Sequence, residues 1–224
     1  MMDPVTLALA KSYTDQRAGI KLRNLLANSS FEIDSNEDGL ADHWTISGSF
    51  GPGMELVTDA VVGEKAQQRV WTTGAIRQIV SVDPAHICYG SIWFKRTVEN
   101  TGSAIRLQLN VSGESGTYVT LPNAVTDWSR YSVETAECTE LNVGRWSTET
   151  GTTIIDGAVL VDLTAAFGPG NEPTKAEMDV LFDDLIPNGW FEGELLLDGP
   201  LLFQWLLRLT RANAQAITSL GGGA

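Results

Sequence analysis

The chain has 224 residues, 43% of them hydrophobic and 19% charged, which is enough apolar material for a real core and excludes wholesale disorder. Its 28 acidic against 15 basic residues give a formal net charge of -13, so neither nucleic acid nor an anionic membrane is expected as a partner. Cys88 and Cys138 are its 2 cysteines, too few for a disulfide framework or a Cys-rich zinc site.

In chain order, Asp3-Pro4 followed by Val5 to Gly19 combines an N-cap acid, proline at the first helical position and good helix formers, and predicts a short helix. Its stripe of Val5, Ala8 and Leu9 is thin, so the helix needs a partner or a copy of itself. No ordinary secretion signal is read here, and the product is expected to be soluble and made in a cytoplasm.

The loop Asp34-Ser35-Asn36-Glu37-Asp38-Gly39-Leu40-Ala41-Asp42 places oxygen-bearing side chains at alternate positions around a glycine, as a calcium loop does. Asp34, Asn36 and Asp38 supply three oxygens, Leu40 a carbonyl, and Asp42 a direct or water-bridged contact. Thr45 stands where an EF-hand needs a bidentate Glu, which excludes that sensor motif. The competing reading is a solvated turn held by its own Asx bonds. A structural Ca2+ is the expected cofactor.

From Asn24 to about Asp162 short β-rich runs alternate with Gly, Asn, Asp and Ser. The clearest is Ala104 to Val111, where Ile105, Leu107, Leu109 and Val111 face one way and Arg106, Gln108 and Asn110 the other, predicting one core face and one wet face. Similar runs are Ala75 to Val82, Cys88 to Val98, Thr117 to Leu121, Trp128 to Glu134, Leu141 to Thr148 and Thr153 to Val161. The expected fold is mainly β: an antiparallel jelly-roll β-sandwich flanked by short N- and C-terminal α-helices. Thr174 and Glu177 form a capping box for a helix to about Leu185. A last helix from about Pro200 carries Leu202, Trp205, Leu209, Ala212 and Ala216 as a coiled-coil seam or docking face, and Gly221-Gly222-Gly223 follow as a flexible tail. The expected organisation is 1–22 as a docking helix, 23–170 as the jelly roll and 171–224 as a helical region with its tail. Two thin-striped helices suggest self-assembly, with a trimer preferred.

Two histidines, His43 and His86, leave little for a triad or a His-based metal site, and no catalytic constellation is read, so an enzyme is not expected. For sugar binding, a flat aromatic with amide or guanidinium companions is required. Trp71, Trp93, Tyr118 and Trp146 are the candidate platforms, with Trp146 the one expected to be exposed; Arg77, Arg106, Gln108 and Asn110 are the polar companions. Trp44 and Trp128 are assigned to the core.

The segment Ile155 to Thr174, ending Asp162-Leu163-Thr164-Ala165-Ala166-Phe167-Gly168-Pro169-Gly170-Asn171-Glu172-Pro173-Thr174, resembles a signature of bacteriophage tail and appendage proteins. The likeness extends to Asn24-Leu25-Leu26, Ser30-Phe31-Glu32, the strand around Trp93 and Asp127-Trp128-Ser129-Arg130-Tyr131, about two thirds of the chain. It implies a carbohydrate-binding-module-like jelly roll located on the virion, whose calcium shell Glu32 or Asp156 would close. The implied role is a structural tail, baseplate or head component partnered by other virion proteins, with possible adhesion to surface glycan. The alternatives are a pure decoration or adaptor protein, and the accessory module of a secreted glycosidase.

Overall fold

The computed structural model describes residues 19–48, 53–71, 74–97, 105–110, 116–122, 125–136, 138–145 and 151–221. The helix expected over Val5 to Gly19, except Gly19 itself, lies outside that set, as do Trp146 and the last three residues of the tail.

In chain order the elements are β1 Ile20–Arg23, β2 Thr45–Ser47, β3 Met54–Val57, β4 Ala66–Trp71, β5 Gly74–Ile79, β6 Cys88–Arg96, β7 Ile105–Asn110, β8 Thr117–Leu121, β9 Ser129–Thr135, β10 Glu140–Arg145, β11 Gly151–Asp162, α1 Leu163–Phe167, α2 Lys175–Asp184, a 3-10 turn Pro187–Gly189, β12 Glu194–Leu197 and α3 Gly199–Gly221. Ten strands form two antiparallel sheets, a front sheet of order β2-β5-β10-β7-β8 and a back sheet of order β3-β4-β11-β6-β9. This is the expected jelly-roll sandwich. The remaining two strands, β1 and β12, pair with each other as a separate ribbon.

Two cores follow from two apolar alternations. Between the sheets, Ile76, Leu107, Leu109, Leu141 and Val143 of the front meet Ile92, Phe94, Ile155 and Leu160 of the back. Phe31 and Trp44 close one end with ring centroids 4.7 Å apart. Each such side chain, fully buried, contributes about 1.5–3 kcal/mol.

The second core lies on the outer side of the back sheet. A bulge after Asp156 shifts the register of β11, and beyond it Val159 and Val161 face outward to join Tyr89. Over them pack Leu22 and Leu197 of the ribbon, Met178, Leu181 and Phe182 of α2, and Leu202, Trp205 and Leu209 of α3. Phe182 stacks between Tyr89 and Phe191, at 5.2 and 6.0 Å between centroids. The first half of the α3 stripe thus docks on its own chain, and the Trp205 indole N–H donates to the Glu177 carbonyl at 3.0 Å.

The turn between the sandwich and α2 is held by Thr164. Its hydroxyl donates to Glu172 at 2.7 Å and accepts from the Ile87 N–H at 2.9 Å. Thr174 then starts α2 through the predicted capping box: its own N–H donates to the Glu177 carboxylate at 2.8 Å, while its side chain accepts from the Glu177 N–H. Among the described residues no helix is long and apolar enough to cross a membrane.

Candidate functional site

The outward face of the front sheet is built by strand alternation. Because Leu107, Leu109, Leu141 and Val143 point into the core, their neighbours Arg106, Gln108, Asn110, Glu140 and Asn142 point away from it. Register aligns Arg77, Asn142, Gln108 and Tyr118 across four strands, with Ile79, Glu140 and Asn110 in the adjacent row.

This face is polar, but it is not the wet face that alternation predicts. Gln108, Asn110, Glu140 and Asn142 are 4%, 7%, 3% and 2% exposed. Burial demands partners, and Glu140 supplies most of them. Its carboxylate accepts from Asn110 Nδ2 at 3.0 Å, from Asn142 Nδ2 at 2.9 Å and from Arg77 Nη1 at 3.3 Å. Asn110 Oδ1 in turn accepts the Gly116 N–H at 3.0 Å. The Arg106 guanidinium lies 4.0 Å from the centre of the Tyr118 ring, a cation–π pair whose aromatic half is 47% exposed.

Two atoms of this network are left over. Arg77 Nε and Gln108 Oε1 are buried, and among the described residues neither has a hydrogen-bond partner. Each such group costs about 1–3 kcal/mol. One is a donor and the other an acceptor, the two functions a hydroxyl group satisfies.

The predicted cation ligands fall in two neighbouring places. Within the 34–42 loop, Asp34 accepts the N–H groups of Asp38 and Gly39 at 3.3 and 2.9 Å. Asp38 accepts from the Leu40 N–H at 2.9 Å and from Asn36 Nδ2 at 3.0 Å. Asp42 accepts the Ser35 N–H at 3.0 Å, a bond that holds its carboxyl below the usual range. Gly39 is required where it stands, since at φ +83 a Cβ would come within 2.3 Å of the Met54 carbonyl oxygen. Glu32 and Asp156 instead hold the 61–65 segment. Glu32 accepts from Glu64 and Lys65, at 2.8 and 3.0 Å. Asp156, wholly buried, accepts from Val61, Val62 and Gly157 at 2.7, 2.8 and 2.7 Å. Burial pushes its carboxyl up to about 7, against the pull of those N–H donors, with the nearby Glu32 charge adding to the rise. Among the described residues no three of His, Cys, Asp and Glu are grouped to hold a metal ion. Asp34 accepts backbone N–H groups and Asp38 accepts both a backbone N–H and the Asn36 amide, and each carboxylate keeps further lone pairs beyond these bonds.

The aromatic candidates separate. Trp71 belongs to β4 by its backbone, in the back sheet, and Trp93 is half-buried in β6 with its indole N–H on the Asn188 carbonyl at 2.6 Å. Tyr118 alone of the described candidate platforms stands on the front face. Trp44 is in the core at 4% exposure, as assigned. Trp128 is not: it is half-buried at the surface, with its N–H on Asp59 at 3.2 Å and the Lys95 ammonium 5.3 Å from its ring centre. Lys95 and Asp59 also pair with each other, and this ion pair supplies a polar rim which an indole satisfies with its N–H outward. Sequence reasoning missed Glu140 and Asn142, although Glu140-Leu141-Asn142-Val143 alternates as plainly as β7 does.

The chain matches no protein-family profile and no curated protein by sequence. Among solved structures it is similar to a family 16 carbohydrate-binding module, at 21% identity over 62% of this chain and 100% of that one, with a TM-score of 0.43. It is similar to a CBM61 module solved with β-1,4-galactotriose, at 19% identity over 62% and 99%, with a TM-score of 0.45. It is also similar to the enzymatically active domain of bacteriophage CBA120 tailspike protein 4, at 16% identity over 61% of this chain and 21% of that one, again with a TM-score of 0.45.

Proposed function

We propose that the chain is a glycan-binding structural module, taking a saccharide on the outward face of its front sheet. The observation that carries this reading is the unpaired couple Arg77 Nε and Gln108 Oε1, set in a network that is otherwise satisfied. The Arg106–Tyr118 pair offers a partly exposed ring for a pyranose face, and Tyr118 stands in the row that register forms with Gln108, Asn142 and Arg77. Glycan-array screening of the full chain, followed by calorimetry on the best saccharide, tests it. Gln108→Ala is expected to weaken binding on the order of tenfold, the scale of one lost buried hydrogen bond. Unchanged affinity in that variant ends the assignment.

The setting we propose for the module is a phage virion, with other virion proteins as partners and a homotrimer as the assembly. Support comes from the Asp162 to Thr174 resemblance. Mass spectrometry of purified particles is expected to find the chain, and its absence from them removes the virion role. A structural Ca2+ at Asp34, Asn36, Asp38, Leu40 and Asp42 belongs to the same proposal, supported by the alternation of oxygens around Gly39. Calcium in large excess over its Kd is expected to raise the Tm by several degrees. No difference between calcium and EDTA removes the ion.

A second reading, an adaptor that binds only protein, is favoured by Leu196, Phe203 and Leu207, which are 55%, 49% and 40% exposed along β12 and α3. Leu207→Glu is expected to dissociate such an assembly in light scattering and to leave glycan binding intact.

A further inference from the structure

The two cysteines lie in the same core cluster, and each is 0% exposed. Cys88 opens β6 in the back sheet, while Cys138 lies just before β10 in the front sheet. Register explains how they meet. Cys88 is level with Thr135, the last residue of β9, and the chain leaves the back sheet there and enters the front sheet at Glu140. Both cysteines are free thiols, and interaction with Cys138, followed by burial, raises the Cys88 thiol above the ordinary thiol range. Cys138 Sγ also sits 3.6 Å from the Glu140 carbonyl oxygen, so the pair adjoins the strand that carries Glu140 and Asn142.

We infer that Cys88 and Cys138 are a modification site: they form an inter-sheet disulfide when the chain folds in the presence of a small-molecule disulfide. This goes beyond the glycan reading and does not depend on it. The thiolate of one cysteine attacks the small disulfide, forming a mixed disulfide and releasing one small thiolate. The second cysteine, as thiolate, attacks the protein sulfur of that bond, forming the S–S link and releasing the other. Two protein S–H bonds are lost, and the small disulfide, reduced to two thiols, takes up both electrons and both protons. Because neither sulfur is exposed, exchange runs while the sandwich is still open, and the closed fold then shields the bond from reductant. The link closes a loop of about fifty residues, long enough to stabilise mainly by restricting the unfolded chain.

The test is to unfold the full chain in urea and refold it in oxidised and reduced glutathione or, separately, in a phosphine reductant. Each sample is then denatured, alkylated and weighed intact. The glutathione sample is expected to take up no alkyl group, to weigh about 2 Da less than the reduced chain before labelling, and to melt on the order of 5–10 °C higher. Cys88→Ala with Cys138→Ala is expected to melt at the same temperature under both conditions, which assigns the difference to this bond. Two alkyl groups on the glutathione-refolded chain, disulfide-linked dimers, or a crosslinked monomer that melts lower than the reduced one each overturn the inference.

Discussion

The two sheets share one core, and the main polar network on each outer face differs in completeness. The one around Arg130 is closed, although Ser91 Oγ and Glu134 Oε2 of the same back sheet are buried without partners among the described residues. On the back sheet, Arg130 is 5% exposed by its side chain and every arm is matched: it donates to Asp183 at 2.7 Å, to the Tyr89 hydroxyl at 2.6 Å and to Asp179 at 3.4 Å. Tyr89 and Ser132 both donate to Asp179, at 2.8 and 2.6 Å. Apolar side chains of α2, α3 and the ribbon cover the remainder. On the front sheet, a network of similar size around Glu140 leaves Arg77 Nε and Gln108 Oε1 without partners. A closed polar network orders a fold, whereas an incomplete one retains a free-energy cost that a ligand can remove.

The most damaging changes fall on the closed face. Trp205→Ala removes a fully buried indole together with its bond to Glu177, and is expected to cost about 3–5 kcal/mol in urea unfolding. A cost below about 1 kcal/mol would mean that the helical layer is an appendage and not a second core. Arg130→Met leaves Asp179 with its Lys175 partner but strips the cation from Tyr89 and Asp183. Since Asp183 is 56% exposed, about 2–3 kcal/mol is expected, less than for a wholly buried pair. The open face should invert the sign. Gln108→Leu deletes an acceptor that has no partner together with only a long bond, Nε2 to the Gly116 carbonyl at 3.5 Å, so stability is expected to hold or rise by about 0–1 kcal/mol while saccharide affinity falls. A large loss of stability there would make the front network structural, and the contrast between the faces would disappear.

Much of this architecture is legible in the sequence, because local rules and tertiary environment agree over long stretches. Ile105 to Asn110 alternates cleanly, and Thr174 with Glu177 announces its helix before any packing is known. The ribbon was not legible: Ile20–Arg23 is too short to read alone, and its partner Glu194–Leu197 stands at the far end of the chain. Nor was α1, whose five residues depend on Asp162 accepting the Ala165 N–H at 2.9 Å. For the candidate site, the outward direction of Arg106, Gln108 and Asn110 followed from periodicity, but their burial did not. Alternation reports which side a residue faces and says nothing of what lies over that side. The same limit misassigned Trp128, whose surroundings are set by Asp59 and Lys95 from distant strands.

Asp156 tests whether the closed face has a weakness of its own. Its folded value of about 7 lies above the ordinary 3.8, so the folded chain holds a proton that the unfolded chain releases. Stability is therefore expected to fall as pH rises between those two values, with a slope up to about 1.4 kcal/mol per pH unit, and to level off above 7. Asp156→Asn is expected to remove that slope in denaturant titrations at stepped pH. Excess calcium that flattens the wild-type slope would place a cation beside this carboxylate, whereas an unchanged slope would separate Asp156 from any bound ion.

The smallest effect is expected at the other end of β11. His86 Nδ1 meets Asp162 at 2.8 Å, and that hydrogen bond, more than the neighbouring charges, raises the imidazole above its ordinary 6.5. A raised imidazole stabilises the fold fully below about 6.5, and the contribution is lost as pH rises through the folded value. The ring is 29% exposed, and Asp162 keeps its second task of accepting the Ala165 N–H, so α1 should survive the loss. Wild type is expected to lose a little Tm across that window where His86→Gln does not. If Asp162→Asn abolishes the same dependence while the capping of α1 persists by amide exchange, the pair is a surface tether of the covered face. If instead α1 and the Thr164–Glu172 turn open together with the ion pair, the helical layer depends on this end of β11 as much as on Trp205, and the closed face is less autonomous than its packing implies.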